Sequence, residues 1–340
     1  MVCTVRQLRT ARDARVWQEA ELLTTSPRVR RWLVIMAKVA MTAFAVIYVT
    51  IIASPWDEPR LAMIWAIRQA GGCPIDQVIK SSRHVRRMQQ VRDEIERSST
   101  NTRTDGKLEL IQTPMGAWWV NRSDRSLSFL LSEQQHEIYG NQDQGVHPGD
   151  VVLDCGANVG VFTRTALDRG ARLVVAIELA PSTIECLRRN FAEEVRVGKV
   201  ILYPKGVWNR SETLEMALPE ENNAGANSVV LGKESKNKVR VPLTTIDLIS
   251  SELHLDRVDF IKMDIEGAEK EALDGAADTI RRYRPRMAIS CEHIPGDFDR
   301  IPEKLRTIQR GYAVKRTDCY DFGFRVRPAV LLFRFSGLDQ

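Results

Sequence analysis

Hydrophobic positions along the chain fall into two regimes. Residues 32–54, "WLVIMAKVAMTAFAVIYVTIIAS", are 23 residues with one charge, Lys38, and no polar face. About 20 apolar residues in a helix cross a bilayer, and a lysine near one end reaches the headgroups. The run therefore predicts a transmembrane signal anchor. A buried core helix is one alternative. A cleaved signal peptide is another, although a long segment precedes the uncharged stretch.

From about residue 107 strand-like and helix-like runs alternate. "KLELIQT" and "GAWWVNR" predict a hairpin across "PMG". Strands are predicted at 150–155, 173–178, 199–204, 258–263 and 286–291, and helices at 160–169, 181–192, 268–282 and 299–310. Such alternation predicts an α/β fold, a mostly parallel sheet covered by helices. "YAVKRT" and "AVLLFRF" close it with an antiparallel pair. Residues 55–105 are read as a stem. Its helix "HVRRMQQVRDEIERS" (84–98) carries Val85, Met88, Val91 and Ile95 on one stripe, and "SSTNTRTDG" (98–106) reads as a polar linker. The expected organisation is a basic tail (1–31), the span (32–54), the stem (55–105) and one domain (106–340).

Charge refines this picture. Residues 1–105 hold 17 Lys/Arg against 10 Asp/Glu, and the remainder 32 against 34. The basic surplus lies outside the glycine-bearing region, so nucleic acid is not an expected partner. Arg6, Arg9, Arg12, Arg15, Arg28, Arg30 and Arg31 precede the span, whereas only Arg60 and Arg68 follow closely. This bias predicts a cytoplasmic N-terminus and a C-terminal domain across the membrane, as in a Golgi or endomembrane enzyme with a lumenal domain. The six cysteines show no metal-finger or redox spacing. Buried free thiols are expected at Cys155, Cys186 and Cys291, and no disulfide framework.

The chemistry-bearing stretch is "VVLDCGANVGVFTRTALDRGARLVVAIE" (151–178). A strand ends at Asp154, Gly156 and Gly160 bracket a turn into a helix, and the next strand ends at Glu178. Ligands of open α/β sheets bind beyond the carboxyl ends of the strands, and glycine admits close backbone approach. A carboxylate such as Glu178 accepts ribose hydroxyl protons. A dinucleotide site calls for G-x-G-x-x-G; here Ala157 and Asn158 replace the middle glycine. Asp154 before the loop repels a pyrophosphate and suits an ammonium group. The loop thus favours S-adenosylmethionine, with a dinucleotide or a purely structural turn as the other readings.

With "AIELAPSTIECLRRNF", "TTIDLI" and "VDFIKMDIEGAEKEALDGA", this stretch resembles the FkbM family of methyltransferases, from about Glu137 to about His293. The resemblance implies a class I, Rossmann-like fold with a seven-stranded sheet and helices on both faces. It also implies S-adenosylmethionine as donor and oxygen methylation, often of a sugar or polyketide hydroxyl. Asp154, Gly156, Asn158 and Gly160 match the donor loop, Glu178 the ribose acid, and Gly206 and Val207 the adenine flank. Asn223, Asn227 and Ser228 fall in a polar segment comparable to one near the family's acceptor.

Strand 258–264 delivers Asp264 to the sheet's carboxyl edge, followed by Glu266; strand 286–292 delivers Glu292 and His293. A positioned base speeds attack by a hydroxyl. Asp264 is the first candidate base or orienting group and His293 the second. Asp264 as a helix cap, Glu269 as a helix-start carboxylate and His293 as a satisfied loop residue are the structural alternatives. A divalent metal is conceivable on Asp264, Glu292 and His293, although no spacing demands one. The reading is a membrane-anchored O-methyltransferase acting on a small-molecule or glycan hydroxyl. An NAD(P)-dependent oxidoreductase and a non-catalytic anchored binding module are the alternatives.

Overall fold

A computed structural model of the protein describes residues 27–52, 57–66, 72–217, 238–321 and 325–337. Two compact units divide at Arg60/Leu61. In the first, helix α1 (Pro27–Ile52) carries side chains exposed throughout 32–46, Trp32, Met41 and Phe44 among them. Among the described residues, no helix is long and apolar enough to cross a membrane. The expected span runs past this point: residues 53–54 and the side chains of 47–52 lie outside the described set. So do most of the basic tail and Asn223, Asn227 and Ser228.

The second unit is built on seven strands: β4 (Val151–Cys155), β5 (Leu173–Ile177), β6 (Val200–Tyr203), β10 (Phe260–Met263), β11 (Arg286–Ser290), β12 (Tyr312–Arg316) and β15 (Val330–Phe335). Their order is β12-β15-β11-β10-β4-β5-β6. Five of them, β11, β10, β4, β5 and β6, run parallel. Strand β15 lies antiparallel between β11 and β12, as expected for the closing pair. Every residue of β4 is buried. Val152 joins one hydrophobic cluster, while Val151, Leu153 and Cys155 join another on the opposite face. A strand covered on both faces reads as a continuous apolar run, and VVLDC does. Helices α5 (Val161–Asp168) and α6 (Pro181–Asn190) cover one face; α8 (Ile246–Glu252), α10 (Ala277–Tyr283) and α11 (Asp297–Ile308) cover the other. The chain leaves β4 toward β5 on one side and returns as β10 on the other. The carboxyl end of β4 is thus the switch point where such sheets hold ligands.

Four expectations need correction. The stem belongs to the compact unit. Helix α3 (Ile75–Arg97) buries Met88 and Ile95 in the main cluster, with Val85 and Val91 packed against it. That stripe was legible, but the polar residues around it concealed how fully it packs. The supposed linker is strand β1 (Thr100–Asp105), antiparallel to β2 (Leu108–Thr113), which pairs with β3 (Gly116–Asn121) in the expected hairpin. The helix expected at 268–282 breaks into α9 (Glu269–Asp274) and α10. Gly275 between them sits so close to Trp208 that a Cβ would come within 2.0 Å of its carbonyl oxygen.

The fourth concerns cysteine. Cys73 and Cys319 form a disulfide across 246 residues of sequence. It joins the segment before α3 to β13 (Cys319–Asp321), which pairs with β14 (Val326–Pro328). Around it Leu61, Ile64, Val78 and Val326 form a small apolar cluster. Cys155, Cys186 and Cys291 are buried free thiols, as expected.

Candidate active site

At the carboxyl edge of the sheet lies a cavity of about 340 Å³, within the usual range of small-molecule sites. Gly156 and Asn158 of the β4–α5 loop line it, as do Glu178 after β5, Gly206 and Val207, Asp264 and Glu266 after β10, and Glu292 and His293 after β11. Asp154 and Gly160 do not.

The loop's shape follows from its residues. Gly156 has φ +78°, and a Cβ there would lie 1.9 Å from the Asp264 carbonyl oxygen. The two motifs of the chain are in backbone contact at that point. Asn158 also takes a left-handed φ, 51°, which asparagine tolerates better than most residues. Its N–H donates to Glu178 Oε2 at 3.0 Å. The other Glu178 oxygen accepts from the Leu179 and Ala180 N–H groups at 2.8 and 2.9 Å. Burial raises the Glu178 pKa, against the lowering effect of these backbone donors. Gly160, φ +95°, serves packing: a Cβ would meet the Phe191 ring at 2.1 Å.

Asp154 has a different setting from the one its position suggested. It is wholly buried, accepts from Thr163 Oγ1 at 2.7 Å and lies 3.4 Å from Lys262 Nζ. Lys262 faces it because the two residues are register partners on adjacent parallel strands. The lysine also donates to the Gly156 carbonyl at 2.7 Å. Burial opposes the lysine's charge, but Asp154 and then Asp264 outweigh it, and its pKa is raised. Asp154 neutralises this lysine and anchors the loop; it does not face the cavity.

The acidic end of the site is organised around His293. Its Nε2 lies 3.5 Å from both Asp264 Oδ1 and Glu266 Oε2, and its Nδ1 lies 3.2 Å from Glu269 Oε1. Glu269, only 1% exposed, also accepts from the Ile265 and Gly267 N–H groups. It is a fixed anchor for the histidine, more than a helix-start charge. Burial disfavours the imidazolium, yet the Glu269 hydrogen bond and the charges of Asp264, Glu269 and Glu266 raise the His293 pKa to about 10. Carboxylates around both nitrogens favour the cationic form of His293 near neutrality. That favours a charge-balancing role for His293 over its reading as the second candidate base.

Asp264 accepts from the Tyr139 hydroxyl at 2.6 Å. Burial would raise its pKa, but Lys262, His293 and hydrogen bonds from Tyr139 and Ser290 bring it below the ordinary value. That favours Asp264 as the orienting group over Asp264 as the base. Glu266 and Glu292 behave oppositely: burial first, then neighbouring negative charge, raises each to about 7. Glu266 has a left-handed φ of 56°, a strained backbone that recurs at functional sites.

Asp264, Glu269 and His293 present ligand atoms within 4.8 Å of one another. A metal-bound histidine must offer a bare nitrogen. Here both nitrogens point at carboxylates, so these side chains fit an imidazolium better than a divalent ion.

Tyr139, Glu133 and Lys262 also line the cavity, and none was singled out from sequence. Glu133 is buried, and burial followed by the Asp264 and Glu292 charges raises its pKa well above the usual carboxylate value. Lys262 had a visible signal, since it opens K-x-D-x-E-G-x-E. Tyr139 and Glu133 had none; they enter from outside the repeating strand–helix pattern.

The family model described as the methyltransferase FkbM domain matches residues 154–314. Methyltransferase 1 of Beauveria bassiana is 24% identical over 189 residues, covering 49% of this chain and 74% of its own length. Methyltransferase sdnD of Sordaria araneosa is 28% identical over 153 residues, covering 36% and 59%. A crystal structure of methyltransferase FkbM from Methylobacillus flagellatus KT is 16% identical, covers 76% of this chain and 62% of that one, and has a TM-score of 0.40. Across residues 154–314, then, the chain matches the methyltransferase FkbM domain model.

Proposed function

We propose that this protein is an S-adenosylmethionine-dependent O-methyltransferase that uses Glu292 as its base. The observation that carries the reading is the pairing of two kinds of carboxylate at one sheet edge. Glu178 presents a carboxylate among backbone donors on one side of the cavity. Asp264, Glu266 and Glu292 gather on the other.

The residues present suit the donor. Gly156 leaves the room that a Cβ would fill. Glu178 accepts three backbone N–H bonds, and an ionised carboxylate has about four lone-pair sites, so one remains for a ribose hydroxyl. When bound, S-adenosylmethionine would supply a sulfonium-borne methyl group, its C–S bond breaking as the C–O bond to the acceptor hydroxyl forms and S-adenosylhomocysteine leaving. Glu292, with a pKa of about 7, takes the proton released as that bond forms, near the optimum for a general base. Asp264, held by Tyr139 and His293, orients the hydroxyl. The buried imidazolium balances the surrounding acids. The site contributes alignment more than covalent chemistry. A sugar or glycan hydroxyl, as the family resemblance suggests, is one member of the acceptor class.

Calorimetric titration of S-adenosylmethionine and S-adenosylhomocysteine into the full chain tests the reading, alongside Glu178→Ala. Micromolar binding that the variant loses supports it. Absence of binding to folded protein would leave a non-catalytic module in its place.

The reading includes anchoring by α1. Its apolar side chains from 32 to 46 are exposed, a surface that water does not favour. The arginine bias then puts the catalytic unit in a lumen. The Cys73–Cys319 disulfide supports the same placement, since disulfides persist in oxidising compartments, and the donor would have to be delivered there. Protease digestion of sealed vesicles decides this: a protected catalytic unit supports the topology, and cleavage without detergent reverses it.

A further inference from the structure

A second cavity, of about 180 Å³, adjoins the first and shares Phe129, Glu133 and Glu292 with it. Its remaining wall comes from elements outside the matched methyltransferase segment or at its far end. Val85, Met88, Gln89 and Arg92 come from α3, and Tyr320 and Asp321 from β13. These walls are tied together. The Cys73–Cys319 disulfide links the start of α3 to β13, and Ser82 of α3 donates to Asp321 at 3.2 Å.

We propose that this second cavity seats the methyl acceptor, and that α3 is a wall of the acceptor site. The inference rests on the methyltransferase reading and deepens it by naming the acceptor's chemistry. Three features define the occupant. The volume is that of one ring, since a cavity of about 150 Å³ accepts benzene. The surface is mainly apolar, from Val85, Met88, Phe129, Ile138 and Ala329, so the ring has apolar faces. Two acids, Glu133 and Glu292, stand where the cavities join, while Gln89, Arg92 and Asp321 lie on the α3 and β13 walls. Glu292 stands in both and Glu133 beside it, so a ring hydroxyl turned toward this wall meets the proposed base at the edge of the donor cavity. A phenol-type or alicyclic hydroxyl compound meets all three conditions. A free sugar ring does not, because its other hydroxyls would lose water against apolar walls without new partners.

The probes are 4-cresol and methyl β-glucoside, two single rings of similar size and opposite polarity. Each is titrated by saturation-transfer NMR into the full chain, with and without saturating S-adenosylhomocysteine. Val85→Trp fills the cavity from the half-buried face of α3, and Val85→Ala enlarges it. The expected result is saturable cresol binding that survives S-adenosylhomocysteine, weakens at least tenfold in Val85→Trp and persists in Val85→Ala. Affinity for S-adenosylhomocysteine should stay within twofold in both variants, which also reports that they fold. Cresol binding that ignores Val85→Trp, or that S-adenosylhomocysteine displaces, would overturn the acceptor seat. Preference for methyl β-glucoside would overturn the apolar ring class. If cresol binds in the Val85-dependent way but S-adenosylhomocysteine does not bind at all, the methyltransferase reading fails while the ring site stands.

Discussion

Lys262 and Asp154 sit side by side on neighbouring strands, 3.4 Å apart, with 5% and 0% of their side chains exposed. This buried pair joins the K-x-D-x-E-G-x-E strand to the glycine loop. Removing one partner of such a pair costs about 3–5 kcal/mol, because the other charge stays buried and alone. Lys262→Met should lower unfolding stability by about that much, and adding Asp154→Asn should recover part of it, the amide still accepting from Thr163. Chemical denaturation of the single and double variants checks this. A loss below about 1 kcal/mol in Lys262→Met would show that the pair is not a structural link.

Glu178→Gln probes the other side of the site. Glu178 accepts three backbone N–H bonds through two oxygens. An amide has one acceptor atom, and its NH2 would face an N–H donor. Affinity for S-adenosylhomocysteine should fall at least tenfold, about 1.4 kcal/mol. An unchanged affinity in calorimetry would remove Glu178 from the donor site.

The pH profile follows from the acidic cluster. Glu292 titrates at about 7 and must be deprotonated to act as base. Methyl transfer to a hydroxyl acceptor should therefore rise with pH through about 7, and Glu292→Gln should abolish the rise. Stability has the opposite sign. Glu266 and Glu292 have folded pKa values above the usual 4.5. The stability they contribute is present below about pH 4.5 and fades as pH climbs through about 7. The His293 contribution is present below about 6.5 and is lost as pH rises through about 10. A rate that is flat between pH 6 and 8 would exclude Glu292 as the base.

Reducing Cys73–Cys319 opens a closed loop of 246 residues. Loss of a native disulfide typically costs about 2–4 kcal/mol. A thermal melt in reductant should therefore drop measurably, and Cys73→Ala should drop as far without reductant. Alkylation followed by mass spectrometry of protein isolated under non-reducing conditions should find both cysteines blocked. Two free thiols there would remove the structural support for a lumenal catalytic unit.

Local pattern decides much of this protein. The alternating runs locate the five parallel strands within a residue or two, and the closing antiparallel pair with them. Gly156, Asn158 and Glu178 reach the cavity because a strand–turn–helix loop carries them there wherever it occurs. Asp264, Glu266, Glu292 and His293 do so because they follow strands of one sheet. Each of these readings needs only period and short spacing.

What the sequence alone determined is therefore the order of elements and which edge of the sheet bears the chemistry. Tertiary structure decided how those residues are used. Asp154 faces a lysine and not the cavity, because the sheet order sets β10 beside β4 and brings Lys262 level with it. His293 is biased toward the imidazolium because Asp264, Glu266 and Glu269 converge on its two nitrogens. Tyr139 reaches Asp264 across 125 residues, Cys73 finds Cys319 across 246, and α3 walls a cavity from outside the matched domain. Side-chain periodicity carries no information about pairings at such separations. They are set by packing, by how one sheet with two covered faces places distant segments next to each other.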